Sequence, residues 1–202
     1  MCSALEVLDG LQGKPFLVLP EDFPLHVTVS DGEGTGSVAI GWWQPRNPSW
    51  TPRVVQAEVP QHWRDEWLRG RTGDIMEVEA TAPLLGLCAW PTLREGLWIH
   101  FVDNTSAEAS MVKGSSRATT LAGVVHTIWL QVRARRLYLW TERVSTGDNP
   151  IDRASRRDLR DLYGQGWEVD PAPSGWELLA VPAELPPGVS VDARSYPRIV
   201  YS

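Results

Sequence analysis

The sequence predicts an α/β protein in which helices pack on one sheet, and three observations carry that reading. LHVTVS at residues 25–30 alternates apolar and polar side chains at strand period and meets SVAIGWW across a glycine-rich turn, as a hairpin does. LWIHFVDN at 97–104 is a short, nearly continuous apolar run rich in aromatic and β-branched side chains, which reads as a strand buried on both faces. Leu121, Val124, Val125, Ile128, Trp129 and Val132 then recur at three- and four-residue spacing, the mark of a helix with one apolar face.

A chain of 202 residues buries one good core, so a single domain with extensions is expected. We place a leader at 1–24, the domain at 25–164 and a Pro- and Gly-rich tail at 165–202. The net charge of -6 argues against holding nucleic acid by bulk charge, yet an acidic metal site adds negative residues without forbidding local basic patches. Cys2 and Cys88 have no knuckle or disulfide-framework spacing, which suits a reducing compartment. No run approaches the ~18 apolar residues of a bilayer span, and the first residues lack a signal peptide's basic start. The expectation is a soluble intracellular protein, cytoplasmic or nuclear, with no membrane partner. Of the eleven tryptophans, Trp90, Trp98, Trp129 and Trp140 lie inside apolar runs and are expected in the core; Trp42, Trp43 and Trp50 lie nearer loops.

The first strand, 25–30, ends at Ser30-Asp31-Gly32, where the glycines permit a tight turn and close approach of a ligand to the backbone. A second strand spans 36–43 and a third 53–59, completing an antiparallel meander. A short helix follows Pro60 over 61–69, closed by Gly70 and Gly73. Over 74–90, Ile75, Val78, Ala82, Leu85 and Ala89 recur at helical spacing and place Glu79 at the edge of the apolar face. Pro83 removes the bond to the Glu79 carbonyl, so a kink is expected.

The strand at 97–104 ends in Asp103, either a ligand at a strand's carboxyl end or only a cap for a helix over 107–112 that Asn104-Thr105-Ser106 could also cap. Lys113-Gly114 ends that helix, and Ser115-Ser116 is expected to cap the next, 117–133. LYLW at 137–140 reads as a further buried strand. A loop at 145–150 leads to Asp152 and a short basic helix through Tyr163.

Four acids thus fall at element ends or on a helix that crosses the sheet: Asp31, Glu79, Asp103 and Asp152. Carboxylates gathered by a sheet repel one another, and divalent cations resolve this. Oxygen-only ligation suits Mg²⁺, with Mn²⁺ as its substitute, and two such ions ~3.5–4 Å apart clamp the attacking and leaving oxygens of phosphodiester hydrolysis.

The pieces SerAspGly at 30–32, IMEVEATA at 75–82, FVDNTSAEASMVKGSS at 101–116 and RVSTGDNPIDRASR at 143–156 resemble, in the same order, the ribonuclease H domains that follow reverse transcriptase in retroelements, particularly DIRS-type elements. The resemblance covers about residues 25–160. It implies a ribonuclease H-like fold with a five-stranded mixed sheet flanked by helices, two bound Mg²⁺ ions, and cleavage of the RNA strand of an RNA·DNA hybrid beside a reverse transcriptase domain. By position it implies that Asp31 is shared by both ions, that Asp152 helps hold the ion activating water, and that Glu79 and Asp103 hold the ion on the leaving-group side. Many members carry a histidine before the last acid, whereas this chain has Glu142 and no histidine between 127 and 202. Glu77 competes with Glu79, which is preferred because Ala82 and Leu85 follow it as the pattern expects.

For the substrate, Asn104 lies beside the acids, and Lys113, Ser115, Ser116 and Arg117 sit at a helix start that could hold a phosphate or be plain solvated surface. Arg133, Arg135 and Arg136, then Arg153, Arg156 and Arg157, form basic clusters that either track a nucleic-acid backbone, Arg156 foremost, or are solvated. Two other classes fit the pattern: a non-catalytic nucleic-acid-binding or scaffolding domain, and another nuclease of this architecture.

Overall fold

The computed structural model describes residues 22–69 and 72–176, and the backbone of 189–191 and 199–201. The leader expected at 1–24 lies outside the described residues up to 21. The sheet is built from β1 (Leu25–Gly32), β2 (Ser37–Trp43), β3 (Arg53–Glu58), β4 (Gly96–Val102) and β5 (Leu137–Arg143). β1, β2 and β3 form the expected antiparallel meander, and β4 and β5 add parallel strands on the other side of β1. Five strands therefore make the mixed sheet the resemblance implies.

A sixth strand, β6 (Glu168–Asp170), extends the sheet by pairing parallel with β3, so the order is β5-β4-β1-β2-β3-β6. It lies in the stretch read from sequence as the start of a tail. Asp170 explains the pairing: its carboxylate accepts from Arg53 on β3 and, at 2.7 Å, from the indole Nε1 of Trp90. Farther on, Trp176 is buried edge-on against Trp63 at 5.5 Å. Isolated apolar residues between prolines carry no periodicity, which is why the sequence hid both anchors. Residues 189–191 and 199–201 pair as a separate two-stranded ribbon, β7 and β8.

One face of the sheet carries α1 (Gln61–Trp67), α2 (Ile75–Ala89), α3 (Thr105–Lys113) and α4 (Thr119–Ala134) over the main core. Alternation along β2 divides the faces: Val38, Ile40 and Trp42 enter this core, while Ala39 faces the other side. There a smaller cluster of Val29, Ala39, Val54, Ile151, Ala154 and Leu162 packs under α5 (Asp152–Ser155) and α6 (Arg160–Gly164). The single basic helix expected from Asp152 to Tyr163 is thus two short ones, broken where Arg157 takes a left-handed φ of 65°.

Other boundaries move for local reasons. The helix expected at 117 begins at Thr119, because Ser116 turns its hydroxyl to the amide of Ala118 instead of capping the helix. The helix through Pro83 runs unbroken from 75 to 89 and is buried nearly all round, where the sequence predicted one apolar face. β4 buries Trp98, His100 and Val102 and leaves Leu97, Ile99 and Phe101 only half-buried, so this strand is deeply covered on one face rather than two. β5 is an edge strand: Trp140, expected in the core, is 61% exposed, while Trp42, assigned nearer a loop, is fully buried against Trp90 and Trp50. Cys88 is in no disulfide. Among the described residues no helix is long and apolar enough to cross a membrane.

Candidate active site

Asp31 stands at the carboxyl end of β1 on the α5 face and is 6% exposed. Glu79, one turn into α2, reaches the same strand end from the other face. Gly32 makes that approach possible, since a Cβ there would stand 2.9 Å from the Cα, Cγ and backbone N of Glu79. The close approach inferred for this glycine is therefore by the helix backbone, not by a ligand.

Asp103 follows β4 directly, and Asn104 is the cap of α3, its Oδ1 accepting from the amides of Ser106 at 2.8 Å and Ala107 at 3.1 Å. That assignment leaves Asp103 free of the capping role the sequence allowed it. The Asn104 carboxamide also hydrogen-bonds the Glu79 carboxylate. Replacing Asn104 by alanine should cost about 0.5–2 kcal/mol from the lost cap alone, measured by urea unfolding.

The electrostatics join the four acids. Burial pushes Asp31 up to about 6, opposed by a hydrogen bond from Ser155 and reinforced by the charges of Asp103 and Asp152. Burial pushes Glu79 up to about 8, opposed by Asn104 and reinforced by Asp103 and Asp31. Glu79 Oε2 is buried with no hydrogen-bond partner. A buried orphan acceptor amid mutually repelling carboxylates is the environment a divalent cation relieves, and an all-oxygen donor set suits Mg²⁺ or Mn²⁺. As the side chains stand, no group of three or more His, Cys, Asp or Glu among the described residues is gathered closely enough to enclose an ion. Glu77, the competing acid, faces away from this site: it is fully buried and accepts from Thr120 Oγ1 of α4 at 2.5 Å.

No protein-family model matches the sequence, and no curated protein matches it. Among solved structures, the chain is similar to the N-terminal ribonuclease H domain of a Mycobacterium tuberculosis protein, solved as a fusion with maltose-binding protein. The identity is 15%, the TM-score 0.47, and the match covers 70% of this chain and 97% of that one. It is also similar to ribonuclease H1 of the halophilic archaeon Halobacterium salinarum, at 12% identity and a TM-score of 0.45, over 68% of this chain and 98% of that one. The strand order, with an antiparallel meander on one side of β1 and parallel β4 and β5 on the other, decides the architecture. The fold is ribonuclease H-like.

On this ribonuclease H-like sheet the remaining residues fall into two places. Lys113, Ser115, Ser116 and Arg117 line one open groove of about 540 Å³ between α3 and α4, with Ser106 at its α3 wall. Arg156 lies apart from them, in a depression of about 250 Å³ with Glu33, Thr35 and Ser155, and pairs with Asp152 at 3.0 Å. Arg135, from the first basic cluster, serves the fold, donating to the carbonyls of Trp90 and Leu93.

Three buried polar side chains escaped the sequence reading. His100 sits under the site, its Nδ1 2.7 Å from Thr28 Oγ1 and its Nε2 3.2 Å from Ser30 Oγ. Trp98 Nε1 donates to Thr28 Oγ1, so one threonine oxygen joins the indole and the imidazole. Complete burial holds the imidazole neutral, its pKa lowered to about 3. Asn149 and Ser155 bind β1 directly. A lone polar residue inside the apolar run LWIHFV was the one signal in the sequence for His100; Asn149 and Ser155 looked like ordinary loop and helix residues.

Proposed function

We propose that this chain is a metal-dependent nuclease that hydrolyses the RNA strand of RNA·DNA hybrids, the ribonuclease H part of a reverse transcriptase or retroelement polyprotein. The observation that carries this reading is the electrostatic coupling of Asp31 with Asp103 and Asp152, and of Glu79 with Asp103 and Asp31, together with a buried Glu79 oxygen left unpaired. These four acids would hold two Mg²⁺ or Mn²⁺ ions. Bound there, such ions activate water and stabilise the attacking and leaving oxygens of phosphodiester hydrolysis.

The chain's own groups supply the rest. Asp31 and Glu79 release the protons that burial favours as cations bind, so uptake is proton-linked. Asn104 fixes the Glu79 carboxylate from the start of α3. Lys113 and Arg117 attract backbone phosphates to the groove, where Ser115 and Ser116 offer hydroxyl donors, and Arg156 meets the strand on the other side of the acids.

Binding of nucleic acid without cleavage is a second reading, favoured by the spread of the acids as their side chains stand. One experiment separates the two: an end-labelled RNA·DNA hybrid incubated with the chain and Mg²⁺ or Mn²⁺, with single-stranded RNA and duplex DNA as controls. The nuclease reading expects hybrid-specific cutting that falls at least about 100-fold in Asp103→Asn, since even outer partners of metal ligands cost 10–100-fold. Hybrid binding without cutting under either metal supports the second reading. Equal cutting of duplex DNA marks a different nuclease of this fold.

A further inference from the structure

We infer that Asn149 and Ser155 form a two-point clamp that sets Asp152 against Asp31 and so fixes the spacing of the cation site. The inference rests on the nuclease reading above. Asp152 opens α5, a helix of only four residues. So short a helix does not sustain itself, and its position must come from outside. Ile151 and Ala154 bury the segment on the β1–β2 face, but apolar contact alone does not fix direction.

Two side chains spaced evenly about Asp152 supply that direction. Three residues before it, Asn149 donates from Nδ2 to the carbonyl of Ser30 at 3.1 Å, just past the last residue pair joining β1 to β4. Its Oδ1 accepts from the amide of Ile151 at 3.0 Å, so one carboxamide stiffens the turn and ties it to the strand. Three residues after Asp152, Ser155 donates from Oγ to Asp31 Oδ2. Both side chains are buried, and their bonds land on consecutive residues of β1.

Ser155 has one proton and two acceptors, because the carbonyl of Asp152 lies 2.8 Å from the same Oγ. When a cation engages Asp31, the hydroxyl can turn to that carbonyl and leave no acceptor stranded. The clamp is therefore compatible with both states of the carboxylate. Neither residue is placed to touch the reacting atoms; both act through the acids they position.

The test is a calorimetric titration of the full chain with MnCl₂, comparing the parent with Asn149→Ala, Ser155→Ala and Leu162→Ala, alongside thermal melts. Leu162 packs in the same small core and makes neither of the two clamp bonds, so its variant should lower the melting temperature while changing Mn²⁺ affinity by less than about twofold. Ser155→Ala removes a single hydroxyl and keeps the test open should Asn149→Ala fold poorly. The clamp predicts Mn²⁺ binding about tenfold weaker in each clamp variant, with Ser155→Ala melting close to the parent. Affinity within about twofold of the parent in the clamp variants overturns it, as does an equal loss in Leu162→Ala. A parent that takes up no Mn²⁺ removes the nuclease reading and the clamp together, whereas a binding parent with unaffected variants removes the clamp alone.

Discussion

Glu79→Gln should abolish hybrid cleavage and, at pH 8 without divalent cations, make the protein more stable than its parent. The cause is the burial that pushes Glu79 from 4.5 up to about 8. Below pH 4.5 folded and unfolded chains both hold the proton. Between 4.5 and about 8 only the folded chain holds it, so the folded state loses about 1.4 kcal/mol for each pH unit. Over that window the cost is on the order of 5 kcal/mol, and Asp31 adds to it between 3.8 and about 6. Glutamine carries no charge to desolvate and escapes the loss. Melts at pH 4 and pH 8 check this: parent and variant should be close at the lower pH and separate at the higher one, with Mg²⁺ restoring the parent more than the variant. A variant less stable than its parent at pH 8 would show that Glu79 is already well solvated or paired.

Gly32→Ala should cost about 1–3 kcal/mol by overpacking and weaken cleavage as well. The added methyl would press at 2.9 Å on the Cα and backbone N of Glu79, so the whole of α2 must yield rather than the tip of a side chain. Gly34, two residues on, would have nothing within 4 Å of an added methyl, so Gly34→Ala is the matched control, with a change under about 0.5 kcal/mol. Urea midpoints of the two variants decide the matter. Equal midpoints would mean that α2 and β1 are not tightly packed at Glu79.

The residues that were legible in the sequence are those whose role is local. The hairpin turn just past Asp31, the capping asparagine at 104, the left-handed Gly114 and the three- and four-residue rhythm of α4 each announce themselves within a few positions. Glu79 was found by its place in a pattern, and the structure separates it from Glu77 by turning the latter toward Thr120. What stayed hidden depends on partners far along the chain. Trp140 has the same neighbours in sequence as a core residue, and only the position of β5 at the sheet edge exposes it. Ser155 and Asn149 gain their meaning from β1, more than a hundred residues earlier. The strand at 168–170 is short, acidic and flanked by glycine and proline, and it pairs only because Arg53 and Trp90 wait for Asp170.

That last pairing also sets a timetable for synthesis. Asp170 joins Arg53 across 117 positions, so the outer side of β3 has no neighbour until nearly the whole domain has been made. At ribosomal rates of roughly 5–20 residues per second, β3 waits on the order of 6–20 s for it. During that interval its amides and carbonyls offer a template to any other extended chain nearby. The strand that guards this border in the finished protein is the last part of the sheet to be made, and crowding of nascent chains is where it would be missed most.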